Sequence, residues 1–186
     1  AEDLADPDTP GRIVARTVEA LGGVDVLVNN AGIIRRADAL DFTPDDWNDV
    51  LDVNLKAAFF LAQAVARRLV EQRHGGKIVN VASMLSYQGG VRVAPYTASK
   101  SGILGLTRLL ANEWAARGIN VNAIAPGYMA TDNTAPLRAD PHRAAEILAR
   151  IPAGRWGEPA DLDGAVVFLA SPASDYVHGT TLAVDG

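Results

Sequence analysis

Val24-Asp25-Val26-Leu27-Val28-Asn29-Asn30-Ala31-Gly32 is an almost wholly apolar run that ends in two amides and a glycine. A strand this apolar on both faces belongs in a parallel sheet covered by helices on each side. Working outward, helical and strand patterns alternate. Pro10 to Leu21 reads as a helix stopped at Gly22-Gly23. Thr43-Pro44-Asp45-Asp46 opens a helical region, with Thr43 as N-cap and Pro44 in the first turn. Its apolar positions run through Trp47, Val50, Leu51, Val53, Leu55, Phe59 and Leu61 to Leu69, with a break along the way. Lys77 to Ala82 is a second strand, followed by a loop with Gly89-Gly90. A helix carrying Tyr96 and Lys100 continues to about Ala116 and stops at Gly118. Ile119 to Ala125 is a third strand, Ala160 to Leu169 a last helix and Thr180 to Val184 a last strand. The long segment Pro126 to Gly157 holds one short helix around Ala144 to Arg150. The alternation predicts an α/β fold with a doubly wound parallel sheet. Nothing before Val24 supplies a strand for its other side, and an apolar edge invites aggregation. The sheet is therefore expected to be incomplete.

The 186 residues suffice for one domain with a substantial core, and 48% are hydrophobic. A net charge of −5 argues against a nucleic-acid surface, which needs a basic face. Without cysteine there is no disulfide, thiolate nucleophile or Cys metal site. That suits a reducing compartment, and the expected location is the cytoplasm. The apolar run from Ala57 to Ala66 is too short to span a bilayer, and no signal-peptide pattern is read. His74, His142 and His178 are scattered and form no metal spacing.

Chemistry concentrates in Pro95-Tyr96-Thr97-Ala98-Ser99-Lys100, with Ser83 at the end of the second strand. Residues four apart share a helix face, so Lys100 can approach the Tyr96 ring. An ammonium there favours the phenolate and is expected to lower the phenol pKa. The Ser83 hydroxyl can reach a substrate oxygen. A lone Y-x-x-x-K pair is common on helix surfaces, and the other motifs decide its meaning.

Those motifs are Asn29-Asn30-Ala31-Gly32 after a strand, Asn54 in Val53-Asn54-Leu55, and Pro126-Gly127 followed by Thr131. With Ser83, Tyr96 and Lys100 in order, the chain resembles the short-chain dehydrogenase/reductase family over essentially its whole length. The resemblance implies a Rossmann-like fold, NAD as cofactor and a homotetramer. It makes Tyr96 the acid or base, and gives Lys100 the nicotinamide ribose and Ser83 the carbonyl oxygen. Asn54 would hold a water that links Lys100 to solvent. Asn29, Asn30, Ala31 and Gly32 would line the adenosine side. Pro126, Gly127, Met129 and Thr131 would pass over the nicotinamide and pyrophosphate. Asp3-Leu4 looks like the end of the family's third strand, beside adenine. No G-x-x-x-G-x-G turn is present. Residues 1–186 are thus expected to form one domain lacking the family's first two βα units, roughly 60 residues. The segment that separates NAD from NADP would fall in that part.

Four stretches are similar to the sugar-acid dehydrogenases of the family, of the deoxygluconate 5-dehydrogenase and 3-dehydrogenase type. They are Asn29 to Arg36, Ala82 to Val93, Ala125 to Thr131 and Ile151 to Gly157. The implied reaction interconverts a ketone and a secondary alcohol on a deoxy-hexonate. A hexonate carries a carboxylate, which arginine recognises bidentately. Arg36, Arg92, Arg138 and Arg155 are candidates, with Arg92 favoured for its place between Ser83 and Tyr96. Gln88 could bond a sugar hydroxyl, while Met84 and Trp156 could wall the pocket. Two alternatives stay open: a 3-oxoacyl-thioester reductase using NADPH, and an inactive truncated member acting as a structural or interaction protein.

Overall fold

The computed structural model describes residues 2–186. Its centre is a four-stranded sheet of β1 (Val26–Asn29), β2 (Gly76–Val81), β3 (Ile119–Pro126) and β4 (Thr181–Val184). The strands lie in the order β1-β2-β3-β4 and all pairs are parallel. Val26 pairs with Lys77, Gly76 with Ile119 and Ala123 with Thr181. Because every strand points the same way, the segments leaving β1, β2 and β3 gather at one end of the sheet.

Side chains alternate across the pleat, and the two faces take different partners. Ile78, Ile119 and Val121 pack with Ala62, Val65, Ala66 and Leu69 of α3 (Ala57–Gln72) and Leu110 and Ala111 of α5 (Ala94–Trp114). Val14 of α1 (Thr9–Leu21) adds to that cluster. Val79 and Ile124 turn to the other face and meet Leu169 of α8 (Asp163–Ala170). Leu27 packs into the first cluster, whereas its neighbours Val26 and Val28 stay 41% exposed. Only β2 pairs with β1 among the described residues.

Thr43 caps α2 (Pro44–Leu51) as expected, its hydroxyl accepting from the Asp46 N–H at 3.1 Å. The break in the following helical region is a π-helical turn, Asp52–Lys56, with Asn54 buried inside it. Two stretches carry more helix than the sequence predicts. The loop after Ser83 contains the one-turn α4 (Leu85–Gln88). The segment after β3 holds α6 (Ala135–Ala139) in addition to α7 (Pro141–Leu148), which overlaps the short helix expected around Ala144 to Arg150. Asp3 and Leu4 form no strand end. Asp3 instead steadies a turn, its carboxylate accepting from the Ala5 N–H and its carbonyl from the Thr9 hydroxyl.

Candidate active site

β2 delivers Ser83 two residues past its last paired position. The Ser83 hydroxyl accepts from the Leu85 N–H at 3.1 Å, which fixes the serine at the start of α4. Across from it, Ala94 and Pro95 open α5, and Tyr96 falls in the first turn. Lys100 follows one turn later, only 4% exposed. Its ammonium lies 5.7 Å from the centroid of the Tyr96 ring and donates to the Val81 carbonyl at 2.7 Å. Burial pulls the Lys100 pKa down to about 8.

The Tyr96 phenol does not follow the sequence expectation. Its pKa is raised, because burial outweighs the opposing effects of the Ser83 hydroxyl and the Arg36 charge. Lys100 sits beside the ring and is itself desolvated, so its ammonium does not reverse that balance.

The π-helical turn aims Asn54 at the loop after β1. Its carboxamide accepts from the Ile33 N–H at 2.8 Å and donates to the Ile33 carbonyl at 2.9 Å. It also donates to the Ser99 hydroxyl, which in turn donates to the Tyr96 carbonyl. These contacts tie the loop after β1 to the first turn of α5. Asn29 borders the same small cleft as Asn30 and Ala31 and has a structural part as well. It is buried and donates to the Ala58 carbonyl and to Asn80, which donates to Thr107. That chain of polar side chains clamps β1 to β2, α3 and α5.

Ser83 and Tyr96 open on a cavity of about 220 Å³, which Arg36, Met84, Gln88, Pro126 and Gly127 also line. Arg36 reaches across to donate to the Asn133 carbonyl at 2.7 Å. Tyr128 lines the cavity and stacks edge-on to Trp156, 5.7 Å between centroids. Three other predicted arginines are engaged elsewhere. Arg92 pairs with Asp38, its side chain 61% exposed, and does not line this cavity. Arg155 makes a two-pronged bond to Asp161, and Arg138 donates to the Thr131 carbonyl. Loop position alone suggested Arg92, but its backbone is left-handed at φ 64°. The sequence reading missed Arg150, Asn133, Thr134 and Asp185 on the cavity wall. Arg150 directly precedes the Ile151-Pro152 run already singled out, which was the available signal.

Several features fit a nicotinamide dinucleotide. Lys100 is buried with three donors and one protein acceptor, the Val81 carbonyl, so two N–H groups remain for ligand oxygens. A side chain at Gly32 would crowd Asn54 Oδ1 at 3.3 Å and Lys100 Nζ at 3.6 Å. One at Gly127 would strike Asp185 Cβ at 2.5 Å. Glycine thus lets the backbone pack against Asn54 and Lys100 at one point and Asp185 at the other, beside the site. Asn30 and Ala31 border a small cleft with Leu4 and Val53. Met129 and Thr131 follow Gly127 and are held by a backbone bond from the Thr131 N–H to the Met129 carbonyl.

A family model described as Enoyl-(Acyl carrier protein) reductase matches residues 1–186. The 2-dehydro-3-deoxy-D-gluconate 5-dehydrogenase of Dickeya dadantii is 62% identical over 184 residues, covering 99% of this chain and 73% of that protein. The gluconate 5-dehydrogenase of Gluconobacter oxydans is 44% identical over 99% of this chain and 72% of its own length. The crystal structure of a gluconate 5-dehydrogenase from Burkholderia cenocepacia, in complex with NADP and tartrate, superimposes with a TM-score of 0.95. It is 43% identical and covers 100% of this chain and 72% of its own. With its serine, tyrosine and lysine gathered at one end of a parallel sheet, the chain belongs to the short-chain dehydrogenase/reductase family.

Proposed function

We propose that this protein is an NAD(H)-dependent oxidoreductase that interconverts a ketone and a secondary alcohol on a deoxy-hexonate. The observation that carries the reading is one cavity lined by Ser83, Tyr96 and Arg36, with the Lys100 ammonium buried behind the tyrosine ring. The names of the Dickeya and Gluconobacter relatives support a sugar acid as substrate. So does the cavity's size, which is below the roughly 300 Å³ where drug-sized pockets begin. A long acyl chain would have to leave it.

A nicotinamide dinucleotide, when bound, supplies or accepts the hydride. The protein's own residues do the rest. Tyr96, whose raised pKa keeps it protonated at neutral pH, gives its proton to the carbonyl oxygen in reduction. In oxidation the phenol must first lose its own proton before the phenolate can take one from the alcohol. Ser83 donates a hydrogen bond to the same oxygen, where negative charge develops. The two spare Lys100 donors hold ribose hydroxyls. Asn54 acts as a positioning residue by fixing the loop that carries Gly32 and Arg36. Asn30, Ala31 and Gly32 would border the adenosine side, with Pro126, Gly127, Met129 and Thr131 on the nicotinamide side. Arg36 faces the substrate carboxylate or a hydroxyl, Gln88 a hydroxyl, and Met84 walls the cavity.

A cytoplasmic homotetramer completes the reading, built on the exposed apolar faces of α3 and α5. NAD is the preferred cofactor in this proposal, and the NADP held by the Burkholderia enzyme makes NADP the alternative to measure. The test is cofactor reduction by the protein from its full reading frame, with 2-dehydro-3-deoxy-D-gluconate and NAD or NADP. Acetoacetyl thioester with NADPH is the contrast. Turnover of the sugar acid, lost by at least about 100-fold in Tyr96→Phe, is the expected result. Turnover of the thioester alone would replace this reading.

A further inference from the structure

Two cations line the cavity that holds Ser83 and Tyr96, and they differ in their commitments. Arg36 already donates to the Asn133 carbonyl, and its charge bears on the Tyr96 phenol. Arg150 lines the same cavity, and its guanidinium makes no hydrogen bond or ion pair among the described residues. The one carboxylate on the wall, Asp185, is not within ion-pair distance of it. Every other lining residue is neutral, so the wall carries two positive charges against one negative.

The position of Arg150 has a plain alternative explanation. It follows the C-terminal end of α7 at Leu148, where a cation is favoured by the helix dipole. A guanidinium placed for that purpose would bond the last carbonyls of the helix. Arg150 does not: its backbone N–H is bonded to the Ile147 carbonyl, while its exposed side chain lines the cavity with no protein partner among the described residues. Its planar fork matches a carboxylate's two oxygens.

We propose that Arg150 is a specificity-determining residue that binds the substrate carboxylate, leaving Arg36 to the end of the substrate nearer the phenol. This rests on the sugar-acid reading given above. The division follows from their commitments. Arg36 influences the phenol and is anchored to the turn at Asn133. Arg150 lines the same cavity from the segment after α7, next to Ile151. A small acid with its reacting carbonyl at Ser83 and Tyr96 then has its carboxylate directed toward Arg150. The chain-length preference of the enzyme would follow from the span between the two.

The test uses the full-length enzyme with saturating cofactor and two substrates. One is the deoxy-hexonate ketone and the other the same skeleton with a hydroxymethyl group in place of the carboxylate. Arg150→Met is expected to raise KM for the acid about 10- to 100-fold, the range for a lost charged hydrogen bond. It should leave kcat and the KM of the neutral analogue within about twofold. Arg150→Lys should recover part of the loss, since it restores the charge but not the fork. Cofactor binding, followed by fluorescence, reports whether each variant is folded, and Arg150→Lys serves if Arg150→Met is not. An unchanged KM for the acid, or an equal rise for both substrates, overturns the role of Arg150 while the sugar-acid reading stands. A wild-type enzyme that does not distinguish acid from neutral analogue overturns it too. Failure of the wild type to use any sugar acid removes both.

Discussion

Lys100 shows how a working residue can cost stability. It is almost fully buried with one protein hydrogen bond, and burial lowers its pKa to about 8. Below that pH both folded and unfolded chains hold the proton, so the desolvation penalty is fully present. As pH rises from about 8 toward the ordinary lysine range, the folded state sheds its proton before the unfolded state does, and the penalty fades. Lys100→Met keeps the volume without the charge. It is expected to raise the Tm by a few degrees at neutral pH while turnover is lost, and the gain should shrink as pH climbs above about 8. Thermal melts of both proteins across that range would show it; a Met variant less stable at neutral pH would contradict the penalty. At this scale the sequence was legible where spacing fixes geometry. Four residues on one helix put Tyr96 and Lys100 together, as expected. It was silent where burial decides a sign, so the phenol pKa came out raised instead of lowered. It was also silent on arginine, because a long side chain's partner depends on tertiary neighbours. Arg92 found Asp38, and Arg155 found Asp161.

Among the elements, α3 and α5 present the clearest unmet demand for cover. Phe60 and Val70 on α3 and Leu109 on α5 are 44%, 41% and 47% exposed. Val70 and Leu109 line a groove of about 490 Å³ between the two helices with Leu110 and Trp114, alongside Gln63, Arg67, Glu71, Glu113 and Arg117. Scattered apolar exposure is ordinary, but apolar side chains grouped on paired helices and rimmed by polar ones fit an interface. Light scattering on the full-length protein is expected to give four chains, and Leu109→Asp should lower the mass; a wild-type monomer would dismiss the tetramer. The helices and strands of the sheet were legible because a period of 2 and a period of 3.6 survive in the sequence. The break near Asn54 was legible as a break, but its π-helical form was not, since a shift in the apolar register does not say how the backbone absorbs it. In the segment after β3 the reading found α7 in part, as a short helix around Ala144 to Arg150, and missed α6, whose five residues are too few to carry a helical period.

For the whole molecule, the parallel sheet was implicit in the alternation of helix and strand, but the strand order and the faces were not. The sheet is covered by α1, α3 and α5 on one side and by α8 on the other, leaving Val26 and Val28 of β1 half exposed. The sequence reading anticipated an uncovered β1. The sequential order of the strands also has a kinetic side. Each pairing must close a long loop before its hydrogen bonds repay the lost chain entropy. The crossover from Gly76 to Ile119 is the shortest of the three, and β2 with β3 forms six residue pairs where each of the other pairings forms four. Folding should therefore begin with the middle two strands and α5, with β1 and β4 joining afterwards. Pulse-labelled hydrogen exchange during refolding would then protect Ile78, Val79, Val121 and Ala123 first. Early protection of Val26 to Asn29 instead would mean that nucleation starts at the edge of the sheet.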